Sequence, residues 1–218
     1  MKHFYAGGAF THAVTHLSRE TLRTYGGLLT SPAQGNDPSR AVEYGMAWAM
    51  DNDCFVRYDP AAILKALQKW RDIPGCKFVN APDVIRKHGP TLTMFWIWQP
   101  IILAFGFPVA FTLQNGVSLD TMPFDYADAL FIGGDDTFKR SETVREIVRE
   151  GKRRGLWIHA GRVNGRKRIA DCLQLGADSF DGTGYSIEPN RIFEALPQLL
   201  AAPPALNNVQ LPLLKEVA

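Results

Sequence analysis

Short apolar runs recur along the chain, separated by longer stretches in which apolar positions return at helical spacing. Eight runs predict strands, over residues 3–6, 27–30, 47–51, 77–81, 108–113, 129–132, 156–159 and 178–181. Helical spacing predicts helices over 18–25, 38–45, 60–71, 91–105, 137–154, 165–175 and 189–200. Ser18, with Glu20 and Thr21 behind it, is a helix cap, and Pro60 after Asp59 marks another helix start. Gly155 and Gly176 stand where C-terminal caps belong. The segment 113–129 has little helical signal and reads as loop. The apolar stretch 94–107 reads as a buried helix with a break at Pro100.

Strands alternating with helices imply a parallel sheet with helical crossovers, an α/β fold. Eight strands favour a compact, closed (β/α)8 TIM-like barrel over an open sheet. The barrel is expected as one catalytic domain over 1–200, followed by a tail over 201–218. At 218 residues and 46% hydrophobic content the chain can bury the core such a domain needs.

Charge changes the picture only locally. Net charge is +2, so no global basic field is implied, but residues 139–168 hold eleven of the 24 Lys and Arg against Glu142, Glu146 and Glu150. Within that run, Lys152, Arg153 and Arg154 are expected to complement a helix C-terminus. Arg162, Arg166, Lys167 and Arg168 follow the seventh strand and are candidate phosphate contacts. Cys54, Cys76 and Cys172 are odd in number and far apart, with no Cys/His ligand spacing. Neither a disulfide framework nor a metal site is expected, and a reducing, cytoplasmic setting fits. No signal peptide is read at the N-terminus, and the apolar stretch is too short to span a bilayer.

Candidate chemistry lies at the strand ends. They read Asp51-Asn52-Asp53, Ala81-Pro82-Asp83, Gln114-Asn115-Gly116, Gly133-Gly134-Asp135-Asp136, His159-Ala160-Gly161-Arg162-Val163-Asn164 and Asp181-Gly182. Turns favour Asp, Asn and Gly in any case. In a parallel barrel, however, all these points converge on one face. Several carboxylates and an amide suit a planar, hydrogen-bond-rich ligand such as a guanine-like base. Its N1–H and exocyclic amine donate to carboxylates, and its O6 accepts. A Gly-Gly pair allows close backbone approach. A further carboxylate could attack an anomeric carbon, as in retaining glycosidases. His159 ends a strand facing the site. His3, His12, His16 and His88 have no metal or triad spacing. Phe55, Tyr58, Phe138 and Tyr185 are candidate stacking groups.

These segments resemble the transglycosylases that exchange guanine for a 7-deazaguanine base. The resemblance is closer to the phage-type deazapurine DNA-modification (DpdA) group than to the queuine tRNA enzymes. Ala49-Met50-Asp51-Asn52-Asp53-Cys54-Phe55 resembles the family's Thr-Asp-Ser-Gly-Gly-Phe segment, with the Asp kept and the glycines replaced. Leu113-Gln114-Asn115-Gly116, Ile132-Gly133-Gly134 and Ser179-Phe180-Asp181 echo its Val-Gln-Gly-Gly, Leu-Gly-Gly and Met-Phe-Asp segments. The resemblance implies Asp181 as nucleophile and Asp51 as general base. Asp83, Gln114, Gly133 and Gly134 bind the base, with Asn52 and His159 beside them. Arg162 and Asn164, with Arg166, Lys167 and Arg168, contact the nucleic acid.

The implied partners are DNA, with a flipped or single-stranded guanine, and a 7-deazaguanine base such as preQ0 or preQ1. No cofactor and no metal are implied. The zinc cluster of the tRNA enzymes is missing from the sequence, which favours DNA over tRNA. Related enzymes pair, so a homodimer is a further expectation, and a phage-infected or bacterial host cell is the expected setting. Three other readings remain open: a queuine-type tRNA enzyme, a barrel enzyme acting on a phosphorylated small molecule, and a non-catalytic nucleic-acid-binding homologue.

Overall fold

The computed structural model describes residues 1–182. The expected helix over 189–200, the tail over 201–218 and Tyr185 lie outside the described residues. Eight parallel strands close into a barrel: β1 (Lys2–Tyr5), β2 (Gly26–Thr30), β3 (Ala47–Met50), β4 (Cys76–Asn80), β5 (Val109–Leu113), β6 (Ala129–Ile132), β7 (Trp157–Ala160) and β8 (Ser179–Phe180). Each strand pairs with the next, and β8 returns to β1 through Lys2–Ser179 and His3–Phe180.

The crossovers carry α1 (Gly8–His16) and α2 (Arg19–Tyr25), then α3 (Pro38–Glu43), α4 (Pro60–Trp70), α5 (His88–Ala104), α6 (Glu142–Arg153) and α7 (Arg166–Leu175). Side-chain caps start several of them. Ser18 accepts from the Thr21 amide, Asp59 from Ala62 and Ser141 from Val144. Gly176 closes α7 in the left-handed conformation. Between β5 and β6 there are only two 3-10 turns, Leu119–Thr121 and Phe124–Tyr126, as the weak helical signal implied.

Two expectations need correction. Helix α1 was not foreseen. Its N-cap position is Gly7, with no side-chain cap, and only Ala9, Phe10 and Ala13 are buried. Packing on the barrel, rather than local propensity, makes it helical. Pro100 does not break α5, which runs through it. The carbonyl that loses its amide partner belongs to Trp96, and both Trp96 and Pro100 are exposed, so solvent can satisfy it. Among the described residues no helix is long and apolar enough to cross a membrane.

The core has two layers, set by the alternation of side chains along each strand. Phe4, Leu29, Ala49, Phe78, Ala110, Ala129 and Phe131 fill the barrel interior. Their strand neighbours, among them Leu28, Trp48, Val79, Phe111, Leu130 and Ile158, pack outward on the helices. Small residues make room for large ones inside. A Cβ on Gly27 would stand 2.1 Å from the Phe4 ring. Gly27→Ala is therefore expected to destabilise the protein by about 1–3 kcal/mol through overpacking. Chemical denaturation measures this, and an unchanged midpoint would show that the Phe4 ring can yield.

Candidate active site

The same alternation runs past the strand ends. Asp51 stands two residues after the inward-facing Ala49, Asn80 two after Phe78, Thr112 two after Ala110 and Gly133 two after Phe131. Gly161 and Asp181 follow His159 and Ser179 at the same interval. All six line one cavity of about 430 Å³. Asn52, Asp83, Gln114, Gly134, Arg86, Lys139 and Arg162 join them from the loops. The expected convergence of Asp51, Asp83 and Asp181 on one hollow is therefore present.

Each carboxylate is held differently. Asp51 Oδ1 accepts from the Asn52 amide at 2.8 Å and from Asn80 Nδ2 at 3.3 Å. Thr112 donates to Asn80 Oδ1 at 2.7 Å, which orients that amide. Burial, with the charge of Asp181 added to it, pushes Asp51 up to about 7. Asp83 accepts from Asn52 Nδ2 at 2.8 Å and from Gln114 Nε2 at 2.6 Å, one donor on each oxygen. Burial raises it, and the two amides counter part of that rise.

Asp181 goes the other way. Burial alone would raise it. The His159 ring, the Arg162 amide donating to Oδ1 and the Lys139 ammonium outweigh burial and hold it below the usual carboxylate range. One cavity therefore contains a carboxyl group poised near neutrality and another that stays ionised.

Several site expectations change. His159 is fully buried and does not line the cavity; it lies one layer down, under Asp181. It therefore does not touch a ligand there. Gly133 lines the cavity, but its amide donates to the Leu113 carbonyl at 3.1 Å. Its contribution is close approach, since a Cβ would meet Thr112 and the Leu113 oxygen at 2.8 and 2.9 Å. Arg168 is ion-paired with Asp136, which removes it as a free phosphate contact. Asn164 and Lys167 are exposed and outside the cavity lining, and Arg166 opens α7.

Lys152, Arg153 and Arg154 are tied to Asp178, Glu150 and Asp125 at the far end of α6, away from the cavity lining. Phe138 is buried core rather than a stacking surface, and Tyr58 accepts from Trp98 Nε1 outside the cavity lining. Phe55 remains, 61% exposed at the mouth, with the Arg162 guanidinium 3.7 Å over its ring.

Asn80, Thr112, Arg86 and Lys139 were not anticipated. Asn80 and Thr112 are signalled by period: a polar side chain two residues beyond an inward apolar one must face the barrel mouth. The Lys139 ammonium donates to the Gly161 carbonyl at 2.6 Å and has no carboxylate partner among the described residues. No family model and no curated protein matches the chain.

The raised Asp51 has a consequence for stability. The unfolded chain ionises this group near the ordinary carboxylate value, and the folded chain does so near 7. Folding is penalised as pH rises between those values, and the full penalty persists above 7. Asp51→Asn keeps both hydrogen bonds to Oδ1 and removes the charge. It is expected to stabilise the fold at pH 8 by on the order of 1–3 kcal/mol, allowing for solvent in the cavity. The gain should vanish by about pH 3, where the native side chain is largely protonated in both the folded and the unfolded state. Denaturant titrations of the two proteins at both pH values test this.

Proposed function

We propose that the protein is a DNA-guanine transglycosylase, replacing guanine with a 7-deazaguanine base through a glycosyl ester on Asp181. The reading rests on one observation above the others. Two carboxyl groups in one cavity have opposite proton affinities, Asp181 ionised and Asp51 near 7, beside a third that is clamped by amides. A base-exchange reaction needs this division of roles.

In the first step an Asp181 oxygen bonds to C1′ while the C1′–N9 bond breaks. The electron pair leaves with guanine, and the protonated form of Asp51 supplies the proton that N9 takes up. The second step is the chemical reverse with a new base. Asp51 takes the N9 proton of the incoming deazaguanine, N9 bonds to C1′, and the ester bond to Asp181 breaks. Two inversions return the original configuration. Asp83, fixed by Asn52 and Gln114, is suited to accept N–H groups from the base edge. A guanine inside a duplex is out of reach, so the substrate nucleotide must be flipped or unpaired.

Lys139 and Arg162 favour a second reading. Both line the cavity without a carboxylate partner among the described residues, which also suits a small phosphorylated ligand. Thermal shifts separate the two: a purine analogue should raise the melting temperature under the first reading, and a sugar phosphate alone under the second.

The decisive assay incubates the protein with guanine-containing single-stranded DNA and labelled guanine or deazaguanine. Incorporation is expected, with Asp181→Ala reducing it by at least about 1000-fold, as loss of a covalent nucleophile does. Incorporation should peak near pH 7 and fall on either side, because Asp51 must carry a proton when guanine leaves and be free of it when the incoming base attacks. No label in DNA from the unaltered protein would remove the proposal.

A further inference from the structure

We propose that His159 is a positioning residue for Asp181: a buried chain from Trp157 through Ser179 fixes its ring so that an Nε2–H faces the carboxylate. The geometry is a line of three contacts. Trp157 Nε1 donates to Ser179 Oγ at 2.8 Å. Ser179 Oγ lies 2.8 Å from His159 Nδ1. His159 Nε2 lies 3.8 Å from Asp181 Oδ2 and has no hydrogen-bond partner among the described residues.

Proton counting along this line leaves little freedom. The indole can only donate, so Ser179 Oγ accepts from it. Ser179 is fully buried, and its own hydrogen finds no other acceptor among the described residues than His159 Nδ1. In a neutral ring that leaves the hydrogen on Nε2. In a charged ring Nε2 carries one as well. Either way a donor points at Asp181. The ring cannot turn away, because Phe4, Phe78 and Phe131 surround it with centroids at 5.6, 5.2 and 4.7 Å.

A separation of 3.8 Å is too long for a hydrogen bond in the resting protein. It is short enough for a strong electrostatic effect inside a barrel. The other groups around Asp181 are known. The Arg162 amide holds Oδ1, Lys139 and Asp51 face it across the cavity, and His3 of β1 stands next to Phe180. Burial pushes His3 down to about 3, so that ring is uncharged near neutrality. His159 thus presents a side-chain N–H toward Oδ2 from the barrel interior.

The test needs no substrate. Asp181 is titrated by carbon NMR of labelled aspartate in the full chain, assigned with Asp181→Asn. The unaltered protein should keep Asp181 ionised below the ordinary carboxylate range. His159→Leu should move the midpoint up by at least one pH unit. His159→Gln, whose amide nitrogen can stand where Nε2 does, should recover most of the shift. Ser179→Ala, which frees the ring tautomer without touching Asp181, should give an intermediate value.

Equal midpoints in the Leu variant and the unaltered protein would overturn the proposal. So would a Gln variant that behaves as Leu does. Should the Leu variant not fold, the Gln and Ala variants decide alone: with the ring important, Ser179→Ala shifts the midpoint, and no shift there ends the idea. The inference stands apart from the transglycosylase reading, because failure of base exchange in the unaltered protein would leave these midpoints unaffected.

Discussion

Closing eight strands into a cylinder leaves each strand a single choice of which alternate side chains point inward. Everything at the mouth follows from that choice. On β1 to β6 the interior layer, Phe4, Phe78 and Phe131 with small partners, is dense and apolar, so the next inward position is the first that can be polar, whereas β7 and β8 already place His159 and Ser179 in that layer. On β3, β4, β5 and β8 that position holds Asp51, Asn80, Thr112 and Asp181. On β6 and β7 it holds Gly133 and Gly161, which leave the hollow its width. A slip of one residue in any strand would bury a polar group among the helices and tip an apolar one into the cavity. The barrel closure that stabilises the protein is therefore also what gathers the carboxyl groups.

Gathering them has an electrostatic cost that the site resolves by asymmetry. Like charges in one enclosed space resist joint ionisation. A uniform set of carboxylates would all be raised. Here the donors are distributed unevenly. Asp181 receives a backbone amide, a nearby ammonium and the His159 ring, whereas Asp51 has two neutral donors on one oxygen and, among the described residues, none on the other. Asp83 sits between these extremes, with one amide on each oxygen. The result is a group poised near neutrality and an ionised group facing the same volume, the division of roles on which the proposed reading rests.

The sequence revealed those parts of the site that follow apolar runs directly. Asp51 and Asp181 close such runs, Gly133-Gly134 follows one, and Asp83 and Gln114 stand within three residues of others, so they were readable as strand-end groups. Asn80 and Thr112 were hidden because they fall inside runs that looked uniformly strand-like, and only the parity of the finished barrel says that they face inward. His159 was misread for the same reason. It does point inward, but one layer too deep to meet a ligand. Arg168 looked free because its partner Asp136 lies 32 residues away in sequence. Helix α1 was illegible because its residues are poor helix formers and its stability is tertiary.

The rim of the cavity adds a final constraint. Asp53, Arg86 and Arg162 adopt left-handed backbone conformations, with φ of 58°, 59° and 56°, and all three line the hollow. Side-chain-bearing residues enter that region only when their surroundings fix them, at a cost of order 1–3 kcal/mol each. The fixing contacts are visible: Asp53 Oδ2 holds the Ala33 amide, Gln114 Oε1 holds the Arg86 amide, and Asp181 holds the Arg162 amide. All three clamps use side chains of residues that line the cavity, and Gln114 and Asp181 belong to its polar cluster. Gln114 and Asp181 therefore do two jobs at once, shaping the loops that frame the cavity and presenting polar atoms within it. A change at either position alters the geometry of the opening together with its chemistry, so the loops and the carboxyl cluster form one unit rather than a scaffold with a site added to it.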